Sequence, residues 1–188
     1  IKMKTDPKMI LALILIITSF VIKEASSQNN YIIIKKIDDI EIREYKKSIN
    51  ASYFDSSSKN YFRFLANYIF GGNEKKMEIS MTSPVTMRLH GNKEMIFRLP
   101  DNFLFDSIPK PINSRIKIFK IASTIKASIQ YSGYSNSKIE KQKTQQLIQT
   151  LNKNNIKNKN DFELNVYNPP YQILNRKYEI TVTTTSTF

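Results

Sequence analysis

The sequence predicts an α+β domain in which one antiparallel sheet, closed or nearly closed, carries two helices on its outside. Several short runs alternate apolar and polar residues with period two, the mark of a half-buried strand. Two segments, 62–69 and 137–153, repeat apolar residues at helical spacing instead. The order strand, strand, helix, strand, strand then occurs twice along the chain. Neither half can bury its apolar face alone, so both are expected to share one sheet.

Taken in order, Tyr31 to Lys36 is a short β-rich run. Asp39 to Lys46 and Ile49 to Phe54 follow as strands, with Ile40 and Ile42 on one face of the first and Ile49, Ala51 and Tyr53 on one face of the second. Ser56 to Ser58 offer N-caps for a helix running to Phe70, which Gly71 and Gly72 stop. Phe62, Leu65, Ala66 and Ile69 are expected to face the sheet, leaving Arg63, Phe64, Asn67 and Tyr68 on other sides. Met77 to Leu89 reads as a strand with Met77, Ile79, Met81, Val85 and Met87 on its buried face. Because Pro84 cannot donate to a ladder, that strand should be an edge or carry a bulge. His90-Gly91-Asn92-Lys93 turns it into Glu94 to Leu99. After a proline-marked connection the second half supplies strands at Arg115 to Ile121 and Thr124 to Ser132. Its helix spans Ser137 to Lys153, with Ile139, Leu147, Ile148 and Leu151 as the apolar stripe. Phe162 to Tyr167 and Lys177 to Thr184 complete the set.

The beginning of the chain reads differently. Lys4 and Lys8 precede an uncharged run from Met9 to Ile22, and Ala25, Ser26 and Ser27 offer a cleavage site, the pattern of a secretory signal peptide over residues 1–27. The mature domain, 28–188, is then expected in the secretory pathway or outside the cell, without a stable membrane span. An organelle reached by a bipartite presequence stays open as an alternative, since Met3, Met9 or an upstream residue could be the initiator. Removing residues 1–27, with four lysines and two acids, lowers the formal charge from +13 to +11. The basic residues are 23 Lys against 6 Arg and are scattered. Groove readers concentrate arginine on one element, so a solvated surface is expected and no nucleic-acid site. Asn50-Ala51-Ser52 is a glycosylation sequon, meaningful only in that pathway.

Counting excludes much chemistry. The chain has no cysteine, so no thiolate nucleophile, iron-sulfur cluster or thiolate zinc site is available. His90 is the sole histidine, which rules out H-E-x-x-H and two-histidine iron sites, and no G-x-S-x-G elbow exists. Four glycines make no phosphate-cradling loop. Asp38, Asp39, Glu41 and Glu44 could form a carboxylate pair, but Glu41 and Glu44 fall on opposite strand faces, so a solvated strand end is expected. No catalytic pair is visible, and the expected function is non-enzymatic.

The run 68–87 closely resembles the SOUL family of haem-binding proteins, through Tyr68, Ile69, Gly71 and Asn73 and then Ile79, Met81, Thr82, Pro84 and Val85. Further matches are Ile42-Arg43-Glu44-Tyr45, Tyr167-Asn168-Pro169-Pro170 and Asn175-Arg176-Lys177-Tyr178-Glu179, so the likeness covers roughly residues 31 to 183. It implies a distorted antiparallel eight-stranded β-barrel flanked by two α-helices, with a pseudo-two-fold internal repeat.

A flat tetrapyrrole requires apolar walls, cations for its propionates and, optionally, a donor to iron. The resemblance points to the first helix and the segment after the paired prolines as walls of a shallow groove that holds haem or another tetrapyrrole non-covalently. Here these are Arg63, Phe64, Asn67 and Tyr68 with Tyr171 and Gln172. Some family members carry a histidine in the R-x-Y element, where this chain has Glu44, so Tyr68 becomes the candidate donor to ferric iron and binding is expected to be mainly hydrophobic and electrostatic. Two alternatives stand beside this reading. Phe64 and Tyr68 could pack under a loop, or the domain could present its helices to a protein partner or an amphipathic ligand.

Overall fold

The computed structural model describes residues 30–55, 60–91, 93–169, 171, 172 and 174–186. The leader at 1–27, the caps at Ser56 to Ser58, Asn92 of the turn and Pro170 of the proline pair lie outside the described residues. Nine strands form one antiparallel sheet: β1 (Tyr31–Ile37), β2 (Ile40–Tyr45), β3 (Ser48–Tyr53), β4 (Val85–Arg88), β5 (Met95–Arg98), β6 (Ile116–Ile121), β7 (Thr124–Ser132), β8 (Glu163–Val166) and β9 (Lys177–Thr183). The helices are α1 (Tyr61–Ile69) and α2 (Ser137–Lys153). No helix among the described residues is long and apolar enough to cross a membrane.

The strand order is β1-β2-β7-β9-β8-β4-β5-β3-β6. The sheet is barrel-like but open, and β1 makes a ninth strand where eight were expected. Exchanging β2 with β6, β3 with β7, β4 with β8 and β5 with β9 turns the order of those eight strands into its own reverse. This is the pseudo-two-fold repeat, with the pair Met87 and Leu164 at its centre. Each half hands one strand to the other, since β2 pairs with β7 and β6 with β3. β1 has no counterpart in the repeat among the described residues.

Two apolar clusters lie on the helix-bearing face. Leu147 and Leu151 of α2 close one over Ile42, Ile180 and Val182. Leu65, Tyr68 and Ile69 of α1 close the other over Ala51, Phe97 and Leu99. Burying one such side chain is worth roughly 1.5–3 kcal/mol, so these two seams hold the helices to the sheet. α2 begins with a full cap, the Asn136 side chain accepting from the backbone N–H of Lys138 and Ile139.

Three expectations need correction, and burial of Asn50 bears on the sequon. Regular pairing begins only at Val85, because residues 71–84 fold as an irregular arm in which Ile79 is buried while Met77 and Met81 stay 37% and 45% exposed. β4 is central, between β5 and β8, and Pro84, which follows a cis Ser83–Pro84 bond, sits just before it and so costs no ladder bond. α1 is rotated from its expected setting: Tyr68 joins Leu65 and Ile69 inside, and Phe62 and Ala66 are only half-buried. Asn50 of the sequon is buried at 4% exposure and its amide donates to Ser48 Oγ, so it presents no glycosylation site in the folded chain.

The helix-to-arm junction explains the Gly71, Gly72 and Asn73 run. Gly71 has φ +100°, a conformation side chains rarely adopt, and a Cβ on Gly72 would lie 2.6 Å from the Asn67 carbonyl oxygen. Asn73 is fully buried; its amide donates to the carbonyls of Tyr68 and Met77 and its oxygen accepts from Lys75 and Met77 N–H. One side chain thereby ties the end of α1 to the arm.

Candidate functional site

Rotation of α1 leaves a second, outward stripe along the helix. Phe62, Arg63, Phe64, Ala66, Asn67 and Phe70 line a cavity of about 780 Å³, within the ~300–1,000 Å³ typical of small-molecule sites. Phe64 is half-buried and stacks on Tyr53, ring centroids 4.5 Å apart at 20°, and Phe62 meets Phe97 edge-on at 5.5 Å. These two rings are fixed from below and form a floor. Phe70, just past the helix, is 65% exposed, an apolar surface that a merely solvated helix end does not need. Arg63 is exposed and forms no ion pair with a carboxylate among the described residues.

Three of the six expected site residues, Arg63, Phe64 and Asn67, are thus brought together. Tyr68 is not. Its ring is fully buried, its hydroxyl donates to the Pro109 carbonyl at 3.0 Å, and burial pushes its pKa up to about 12. A phenol held in this way offers no tyrosinate near neutral pH, so the proposed donor to iron is withdrawn. Tyr171 is 83% exposed on the loop between β8 and β9, and Gln172 is held there by bonds to the Pro169 and Leu174 carbonyls. Neither lines the α1 cavity. Phe62 and Phe70 join the lining: Phe62 packs on the core at Phe97, as its spacing implies, but also reaches the cavity, and Phe70 lies beyond the periodic stripe.

The opposite face of the sheet is polar, and it is also largely buried. Arg43 is fully buried, its Nη1 donating to Glu179 Oε1 at 2.6 Å and its Nε to Glu41 at 2.8 Å. The Tyr31 ring of β1 lies 4.0 Å from its guanidinium. Glu179 also accepts from Gln130 and from the Tyr167 hydroxyl. Burial opposes the Arg43 charge, but Glu179, Tyr45 and Glu41 outweigh it and keep the guanidinium protonated. Burial, then the charge of Glu179, raises the pKa of both Tyr45 and Tyr167 far above the ordinary phenol value. Glu41 is therefore no mere solvated strand end, although burial pushing its pKa up is overcome by hydrogen bonds from Lys36 and Arg43, which hold it down. Glu44 lies on the other side of β2, exposed, and accepts from Ser123. No group of acids and histidine among the described residues could hold a metal ion. His90 lies away from α1, its Nδ1 3.1 Å from the Phe162 carbonyl oxygen.

The architecture is a curled, open antiparallel sheet of the α+β class with two helices. The family model described as SOUL heme-binding protein matches residues 26–183, and the chain belongs to that family. It is 29% identical over 159 residues to heme-binding protein 2 of Homo sapiens, covering 74% of this chain and 75% of that protein. It is also 29% identical over 109 residues to heme-binding protein 1 of Xenopus laevis, covering 50% of this chain and 57% of that one. Among solved structures, the EcmrR C-terminal domain shares the fold with a TM-score of 0.59 at 12% identity, over 79% of this chain and 98% of that domain.

Proposed function

We propose that this protein binds haem or a related tetrapyrrole non-covalently in the α1 groove and carries it without transforming it. The carrying observation is the stripe of Phe62, Ala66 and Phe70 beside Arg63, apolar surface with one cation at its edge. That donor set fits the flat body of a tetrapyrrole and one propionate. It contains no imidazole, thiolate or phenolate, so the residues present do not fit an axial bond to iron. When bound, the pigment would supply its own redox and spectroscopic properties. The chain's part is to hold the ring against Phe62 and Phe64, cover it with Phe70 and orient it through a charge-assisted hydrogen bond from Arg63. The names of the human and frog relatives support the choice of ligand. Delivery to the secretory pathway by residues 1–27 belongs to the same proposal, and N-terminal sequencing of the protein recovered from cells tests it.

Parallel titrations with haemin and iron-free protoporphyrin test the binding mode. Without a donor to iron, the two affinities should agree within about threefold, under ~1 kcal/mol. Haemin binding tighter by tenfold or more (about 1.4 kcal/mol) would contradict ligation-free binding, and absence of saturable binding by either would remove the tetrapyrrole reading.

A further inference from the structure

The two halves of the polar face differ in a way their symmetry makes exact to compare. With Met87 set against Leu164, the strand registers place Ser52 where the other half has Ser128, and Glu94 where it has Glu179. They also place Lys117 at the position of Glu41 and Phe119 at that of Arg43. In the second half the side chains fill this space: Arg43 sits between Glu41 and Glu179 under the Tyr31 ring. In the first half the same space is open, a cavity of about 780 Å³ lined among others by Ser52, Phe54, Arg88, Glu94, Lys117 and Phe119. Among the described residues no strand corresponding to β1 covers it.

Charge is inverted at one corresponding position, where Lys117 stands in place of Glu41. The filled half sets Arg43 and Lys36 against two carboxylates, Glu41 and Glu179, whereas the open half sets two cations, Arg88 and Lys117, against the single carboxylate of Glu94. Arg88 and Glu94 pair at 2.5 Å and neutralise each other, which leaves Lys117, exposed at the rim, as the surplus charge. Ser52, at the floor of this cavity, is 1% exposed, as is its counterpart Ser128, and neither hydroxyl has a hydrogen-bond partner among the described residues. Phe119 and Phe54 add aromatic wall, and the Arg88 guanidinium lies 5.9 Å from the Phe119 ring.

We propose that this open half is a second binding site, separate from the α1 groove, that takes a planar aromatic carboxylate. Its carboxylate accepts from Lys117, and its ring lies against Phe119 and Phe54. The site does not depend on the tetrapyrrole reading.

The test uses 2-naphthoate, followed by amide shifts in solution NMR, with neutral 2-naphthamide as the control and haemin as competitor. Saturable shifts should centre on Ser52, Lys117 and Phe119, and naphthamide should bind at least about tenfold more weakly. Lys117→Glu, at an exposed position that restores the charge of the other half, should weaken naphthoate by about tenfold or more and leave haemin affinity unchanged. Equal binding of naphthoate and naphthamide, shifts centred on α1, displacement of naphthoate by haemin, or no saturable shift would each overturn the proposal.

Discussion

The two halves of the sheet share topology and register, yet one is closed and the other open. Beneath α2, 17 residues long and capped by Asn136, the second half packs its apolar face, while Arg43, Glu41, Glu179 and Tyr31 fill its polar face. The first half has α1, only 9 residues long, with an aromatic cavity along its outside and a second cavity on the opposite face. Repetition of a fold therefore separates two tasks. One half holds the domain together, and the other is free to keep exposed aromatic surface that packing alone would select against.

Substitutions that break this comparison should act first on the closed half. Replacing Arg43 with alanine strands the Glu179 carboxylate inside the protein, and the expected loss is about 3–5 kcal/mol in denaturant unfolding. Leu151→Ala, under α2, should cost about 2–5 kcal/mol by the same measurement, because the long helix cannot collapse into the gap. Phe70→Ala, in the open half, should change stability by less than about 0.5 kcal/mol, since that ring is mostly in water. A large loss there would mean that the open half is structural after all.

Alkaline pH sharpens the same contrast. Burial raises the pKa of Tyr45 and Tyr167 in the folded state above the ordinary value of about 10. Their contribution is thus fully present below pH ~10 and is lost as pH rises above it, when the unfolded chain ionises and the folded one cannot. Melting temperature should fall above pH ~10, and Tyr45→Phe should blunt the fall. At the small end, Arg63→Gln should weaken haemin only about threefold at low salt and less at high salt, because an exposed cation is screened.

Much of the fold was legible because strand alternation and helix spacing are local. Thr124 to Ser132 and Ser137 to Lys153 were bounded to the residue by their own periodicity. The arm at 71–84 was not, since its conformation depends on Asn73 reaching four backbone groups, which an alternating row of Met77, Ile79 and Met81 does not disclose. The candidate site was half legible. Phe64 and Arg63 follow from helix spacing, but the rotation of α1 turns on the Tyr68 hydroxyl finding the Pro109 carbonyl 41 positions away. The buried Arg43–Glu179 pair spans 136 positions and was written in the sequence only as two isolated motif fragments.

The most direct measurement is haemin titration of the protein carrying Phe62→Ala together with Phe70→Ala, beside the His90→Ala variant, followed by Soret absorbance. The aromatic double variant should lose tenfold or more in affinity, about 1.4 kcal/mol or greater, while His90→Ala binds as the unaltered protein does. Loss of affinity in His90→Ala with the double variant unchanged would contradict the α1 groove as the binding place.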